Sequence, residues 1–202
     1  MGRSGRYLIV GSIALTLGAV AVAQQAAERL SGRIEQIEGR VLTLKPISGD
    51  AVKLMLTSDA RVVAVMKADL ADVREGTFLG SAAMPQPDGS QKALEIHIFP
   101  EQMRGTGEGH RPYAPVSGST MTNGTSGAPV AAVDGSAIMV KYKDGEKKIV
   151  VPPGTPIVRY EIGSAADLKP GAHFTVLAAT KKPDGTFEAA RINVGRDGVA
   201  PQ

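Results

Sequence analysis

Apolar residues along this chain fall in short runs that alternate with polar ones, and the runs are set out twice in the same order, about ninety-five residues apart. In the first copy the pattern is Ile34, a break at Glu38-Gly39, Leu42 and Leu44, then Val52, Leu54 and Leu56, then residues 62–65. The second copy repeats it in PVAAVDGSAIMVK, KKIVV and PIVRY. Period-two alternation between turn residues predicts half-buried strands. Glu38-Gly39 and Asp134-Gly135 predict tight hairpins. A run of the type Ala-Asp-apolar-basic ending at a glycine, in residues 67–76 and 164–171, predicts one helical turn with a glycine stop. A fifth strand is expected over 77–84 and 172–179. Pro87-Asp88-Gly89 and Pro183-Asp184-Gly185 then predict turns into a sixth, over 93–98 and 189–194.

Six short strands with one helical turn before the last pair leave exposed edges unless the sheet closes on itself. The expected fold is therefore all-β. Two tandem six-stranded small β-barrels, of the economy seen in OB-like or cradle-loop-like barrels, follow an N-terminal signal helix. The partition is a signal peptide at 1–23, a first barrel at 32–101, a Gly-rich joining segment at 102–128, a second barrel at 129–196 and a disordered tail at 197–202. The joining segment has glycines at 105, 107, 109, 118, 124 and 127 and no strand or helix period. It is either a linker or an ordered loop lying across both barrels.

Composition narrows the setting. Arg3 and Arg6 precede an apolar run that ends in Ala21-Val22-Ala23, an n-region, an h-region and a cleavage site. The run is interrupted by Gly11 and Gly18 and is shorter than the ~20 residues a spanning helix needs. Export to a periplasm with cleavage after Ala23 is expected, with membrane attachment only through an uncleaved leader. Removing the leader leaves 21 basic against 20 acidic residues, so a basic nucleic-acid face is not implied. The absence of cysteine excludes thiol catalysis and disulfide support.

Little in the chain carries recognisable reaction chemistry. There is no G-x-S-x-G elbow, and GTGEGHR lacks the Lys-Ser/Thr ending of a phosphate loop. The repeat tests two of the three histidines: His97 stands where the second copy has Asn193, and His173 where the first has Phe78. The alternation in EIHIF puts His97 and Glu95 on the outer, polar face, and His173 reads as a half-buried packing residue. His110 lies in the one stretch without a twin. With Glu108, Arg111 and Tyr113 it forms the candidate ligand-binding set, which suits an anion held by Arg111 and backbone amides, or a metal at His110 and Glu108. No zinc spacing is present, and no cofactor is expected. The Lys141, Lys143, Lys147 and Lys148 cluster alternates with Asp144 and Glu146 and reads as a solvated hairpin.

The joining motif MRGTGEGHRP with STMTN, the two Ala-Asp-Leu/Val turns and KYKDGEKKIVVPP together resemble the exported bacterial proteins grouped as domain of unknown function 5666. The resemblance spans essentially the whole chain after the leader. It implies tandem small β-barrels in the cell envelope and supplies no catalytic residues. The expected function is that of a non-enzymatic binding or structural interaction module, or else of a metal- or small-ligand-binding accessory protein. Its partner would be an envelope protein or a small ligand.

Overall fold

The computed structural model describes residues 27–132 and 135–201. The leader expected at 1–23 and Asp134 of the second hairpin turn lie outside the described residues. The alternating runs form thirteen strands in one hydrogen-bonded sheet. They are β1 (Glu28–Glu38), β2 (Val41–Pro46), β3 (Val52–Lys67), β4 (Phe78–Pro85), β5 (Gln91–Ile98), β6 (Gly109–Pro112), β7 (Thr120–Ser126), β8 (Val130–Ala132), β9 (Gly135–Tyr142), β10 (Gly145–Val151), β11 (Ile157–Ile162), β12 (His173–Lys181) and β13 (Phe187–Gly195). Among the described residues the helical content is three 3-10 turns, Leu70–Asp72, Glu101–Met103 and Ala165–Asp167. The fold is all-β, as the periodicity predicts.

The turn chemistry is local. In each Pro-Asp-Gly turn the aspartate accepts two hydrogen bonds from the residue two places on. Asp88 takes Ser90 N at 3.0 Å and Oγ at 2.6 Å, and Asp184 takes Thr186 N at 2.9 Å and Oγ1 at 2.7 Å. Each Ala-Asp turn is capped the same way, Asp72 accepting from Asp69 N and Asp167 from Ser164 N.

The strand pairings do not follow the two copies. β1–β2, β2–β3, β3–β13, β13–β12 and β12–β1 close one five-stranded circuit. β4–β5, β5–β10, β10–β9, β9–β7 and β7–β4 close a second, whose β5–β10 and β7–β9 ladders are short. The first circuit takes three strands from the first copy and two from the second; the second takes two from each copy and β7 from the joining segment. The expected partition into self-contained six-stranded barrels at 32–101 and 129–196 is therefore corrected: the halves are exchanged. The physical reason lies in β3. At ~3.3 Å per residue its 16 residues reach roughly 50 Å, long enough to carry the chain out of one circuit and deliver β4 and β5 to the other. The equivalent run in the second copy is split into β10 and β11 by Pro152, Pro153 and Pro156, which lack the N–H a ladder needs.

β11 joins the circuits, antiparallel to the C-terminal half of β3 and parallel to β5. In the β3–β11 ladder Val65 faces Tyr160, its own counterpart in the other copy, while Val63↔Ile162 and Lys67↔Val158 are mirror images of one another. The ladder thus lies on an internal two-fold axis. Leu42, Leu54, Phe174 and Ile192 are among the residues filling the first circuit, and Leu79, Ile96, Ile138 and Ile149 among those filling the second. A third apolar layer of Val63, Val65, Phe78, Phe99, Met103, Val158 and Tyr160 lies between them. Here Phe99 stands edge-on to Tyr160 at 5.2 Å.

Two further expectations change. The joining segment at 102–128 is ordered and its β7 portion is barrel wall. β7 pairs β4 with Gly124 against Leu79 and β9 with Thr125 against Lys141, matching β1, where Gly32 faces Phe174 and Arg33 faces Lys45. The tail is also placed, contrary to the expected disorder. Val199 N donates to Arg196 O at 3.0 Å, Thr175 Oγ1 donates to Pro201 O at 2.7 Å, and Pro201 is buried.

Gly32 and Gly124 hold equivalent close approaches, since a Cβ at either would run into the backbone oxygen of Lys45 or Lys141. Gly124→Ala and Gly32→Ala are each expected to cost about 1–3 kcal/mol, the range for overpacking. Gly127→Ala meets only ordinary contacts and should be near neutral. Thermal or urea melts of the three variants check this. A loss at only one of Gly32 and Gly124, or at neither relative to Gly127→Ala, would remove the equivalence of β1 and β7.

Candidate functional site

The four candidate residues of the joining segment do not converge. β6 pairs β7 with His110 opposite Thr122, and His110 Nδ1 shares a 2.8 Å hydrogen bond with Thr122 Oγ1. Its ring stacks on Tyr142 with centroids 6.4 Å apart. Burial, with repulsion from Lys147, holds the imidazole below the ordinary histidine range. Glu108 Oε1 accepts from Lys143 N at 3.1 Å, tying the segment to the β9–β10 turn. Arg111 Nη1 donates to Gly107 O at 2.6 Å, and Asn123 Nδ2 donates to Thr106 O at 2.9 Å. These contacts use Glu108, His110 and Arg111 to pin the segment. Among the described residues no group of three or more His, Cys, Asp or Glu side chains comes together as a metal cage requires.

Tyr113 goes elsewhere. It lines a cleft of about 910 Å³ together with Leu94, Glu95, Val158, Val199 and the prolines Pro152, Pro153 and Pro156. Burial raises the affinity of its hydroxyl for its proton, against the pull of the nearby Arg29. Behind Tyr113 lies a polar cluster that the alternation pattern had assigned to solvent. Glu95 and His97 are 8% and 5% exposed, because the outer face of β5 is not outside: it packs on the layer between the circuits. His97 Nε2 lies 3.2 Å from Glu95 Oε2, short enough for an ion pair but off the line of a hydrogen bond. The His97 ring stacks on Tyr160 at 5.3 Å. Burial, reinforced by the Glu95 carboxylate, pushes the Tyr160 hydroxyl far above the usual tyrosine range. His97 as an outer-face residue is thus corrected, whereas His173 is half-buried as expected and three of the four hairpin lysines are exposed.

The internal axis gives this cleft a twin. Val158 pairs His97 and Val63 pairs Asn193, so the two parallel ladders match residue for residue. A second cleft of about 680 Å³ is lined by Val62, Val63, Gly163, Ser164 and Ala165, the counterparts of Ile157, Val158, Ala68, Asp69 and Leu70 in the first. Glu95 and its counterpart Arg191 each follow a register shift, beyond Leu94 on β5 and Ala190 on β13. A bulge of this kind re-aims the next side chain. The same scaffold position carries a carboxylate in one cleft and a guanidinium in the other. Sequence reasoning missed both, because it dismissed positions that differ between copies; the difference was the signal.

No family model, curated protein or solved structure matches the chain. No helix among the described residues is long and apolar enough to cross a membrane, which says nothing of a strand-built crossing.

The depressed His110 proton affinity has a defined sign. A base whose folded-state pKa lies below its unfolded value stabilises fully above the ordinary histidine pKa of about 6.5, and that contribution is lost as pH falls through the lower folded value. His110→Gln, which keeps a partner for Thr122, is therefore expected to flatten the fall in melting temperature between about pH 7.5 and pH 5. An unchanged pH profile would remove His110 from the acid response.

Proposed function

We propose that this chain is an exported, non-catalytic binding module of the cell envelope, and that its first ligand site is the cleft formed by Tyr113, Glu95 and the Pro152-Pro153 edge. Its partner class is a small molecule with a hydrogen-bond donor or cationic head on an apolar body. The observation that carries this reading is the nearly buried Glu95 carboxylate in a proline-rich, mainly apolar cleft whose other charged lining residues are Lys67 and Asp69. Its nearest protein partner is His97 Nε2 at 3.2 Å, off the line of a hydrogen bond, so a well-aligned donor on a ligand adds a charge-assisted hydrogen bond that the chain does not supply. The size falls in the range of small-molecule sites, about 300–1,000 Å³. The leader-like residues at 1–23 and the resemblance to the exported domain-of-unknown-function 5666 proteins support the location. Metal binding at His110 and Glu108 is the weaker alternative, since both side chains already have other partners.

Titration of the purified protein with 4-phenylbutylamine and, separately, with the neutral 4-phenylbutanol tests the reading by thermal shift and by Tyr emission. The amine is expected to bind more tightly than the alcohol. Glu95→Gln is expected to weaken the amine about tenfold, the worth of one charge-assisted hydrogen bond, and to leave the alcohol unchanged. Equal binding of amine and alcohol, or an amine affinity indifferent to Glu95→Gln, would contradict it.

A further inference from the structure

The second cleft carries chemistry that the first lacks. Arg40, Arg61 and Arg191 all line it, together with apolar Leu56, Val63 and Met103. Their counterparts across the internal axis are Ser136, Pro156 and Glu95, which line the first cleft. The scaffold therefore does not require arginine at any of the three places. Arg61 and Arg191 are directly opposed in the parallel β3–β13 ladder, an arrangement that sets two like charges side by side. Arg191 is half-buried and donates Nε to Asn193 Oδ1 at 3.1 Å. Burial, with Arg61 adding repulsion, lowers its proton affinity, although a guanidinium stays charged.

No protein carboxylate relieves this. The arginines that form ion pairs are Arg104, Arg159 and Arg196; among the described residues none of the three cleft arginines lies within ion-pair distance of an acid. Asp59 senses Arg61 only from farther away and is held by Thr57, whose Oγ1 donates to Asp59 Oδ1 at 2.7 Å. Three cations line one half-apolar cleft, Arg40 and Arg61 exposed and Arg191 half-buried, and no acid of the described residues stands within ion-pair distance of any of them. Planar guanidinium forks are suited to bidentate capture of carboxylate or phosphate oxygens.

We infer that the cleft of Arg40, Arg61 and Arg191 is an anion site for a soluble small molecule with a carboxylate or phosphate head and an apolar body. The head sits between the three guanidinium groups and the body lies along Leu56, Val63 and Met103. The inference rests on the reading of the chain as a ligand-binding module but not on the Glu95 cleft, whose failure would leave it standing. The two clefts then select ligands of opposite charge from one duplicated scaffold.

The test is calorimetric titration of the purified protein with 4-phenylbutyrate and 4-phenylbutyl phosphate, with 4-phenylbutanol as the neutral comparison. The anions are expected to bind one to one and at least about tenfold more tightly than the alcohol, and to weaken as salt is raised. Arg191→Gln and, separately, the exposed Arg40→Ser are each expected to lose about tenfold in anion affinity, while Lys148→Ala, another exposed cation, changes nothing. Arg40→Ser carries the test if Arg191→Gln fails to fold by circular dichroism. Anion binding no tighter than the alcohol, or unaffected by either arginine change, would overturn the inference. So would co-sedimentation with phosphatidylglycerol vesicles in the absence of any binding of the dissolved anions, which would place the counter-charge on a lipid surface.

Discussion

The β3–β11 ladder is the interaction on which the rest of the molecule depends. It pairs each copy with the other at equivalent residues, Val65 against Tyr160, and so imposes a two-fold relation inside one chain. Because β3 runs through from its own circuit into this ladder, the strands that follow it must complete the neighbouring circuit. The molecule has the geometry of a strand-exchanged dimer whose two chains are joined. Joining removes the concentration dependence that such an exchange carries between separate chains. Each copy supplies few residues for a core of its own, and the shared layer around Phe99 and Tyr160 buries apolar surface that a lone copy would expose.

That symmetry also organises the clefts. Two sites built from matching turns and matching ladder positions are free to differ in the side chains that the fold does not constrain, and they do: Glu95 against Arg191, Ser136 against Arg40, Pro156 against Arg61. The internal axis therefore separates positions that hold the backbone from positions whose charge differs between the clefts. Residues alike in both copies, such as Gly32 with Gly124 and Asp72 with Asp167, hold backbone in place. Unlike residues at like places carry the charge.

The local elements were legible in the sequence, because Pro-Asp-Gly turns, Asp caps and period-two runs act within a few residues. Which strands pair was not. Alternation assigns faces, not neighbours, and an exchanged barrel reads the same as a closed one. β7 was missed as the twin of β1 since TNGTS shares only its glycine with LSGRI, and the shared requirement is backbone contact at that glycine. The site suffered from the same gap. Glu95 and His97 lie on the polar face of their strand, which is buried because that face meets the other circuit. Glu108, His110 and Arg111 stood out for having no twin, yet they tie down the segment they belong to, and only Tyr113 reaches a cleft.

Disulfide trapping in this cysteine-free chain tests the exchange most directly. Arg33 of the first copy faces His173 of the second in the exchanged circuit, whereas in self-contained barrels it would face Phe78, the first-copy counterpart of His173. The account predicts that Arg33→Cys with His173→Cys oxidises within the monomer at dilute protein, with neighbouring strand positions inside the Cα separation of about 4.4–6.8 Å that a disulfide spans. An intramolecular bridge for Arg33→Cys with Phe78→Cys, and none for the His173 pair, would contradict it.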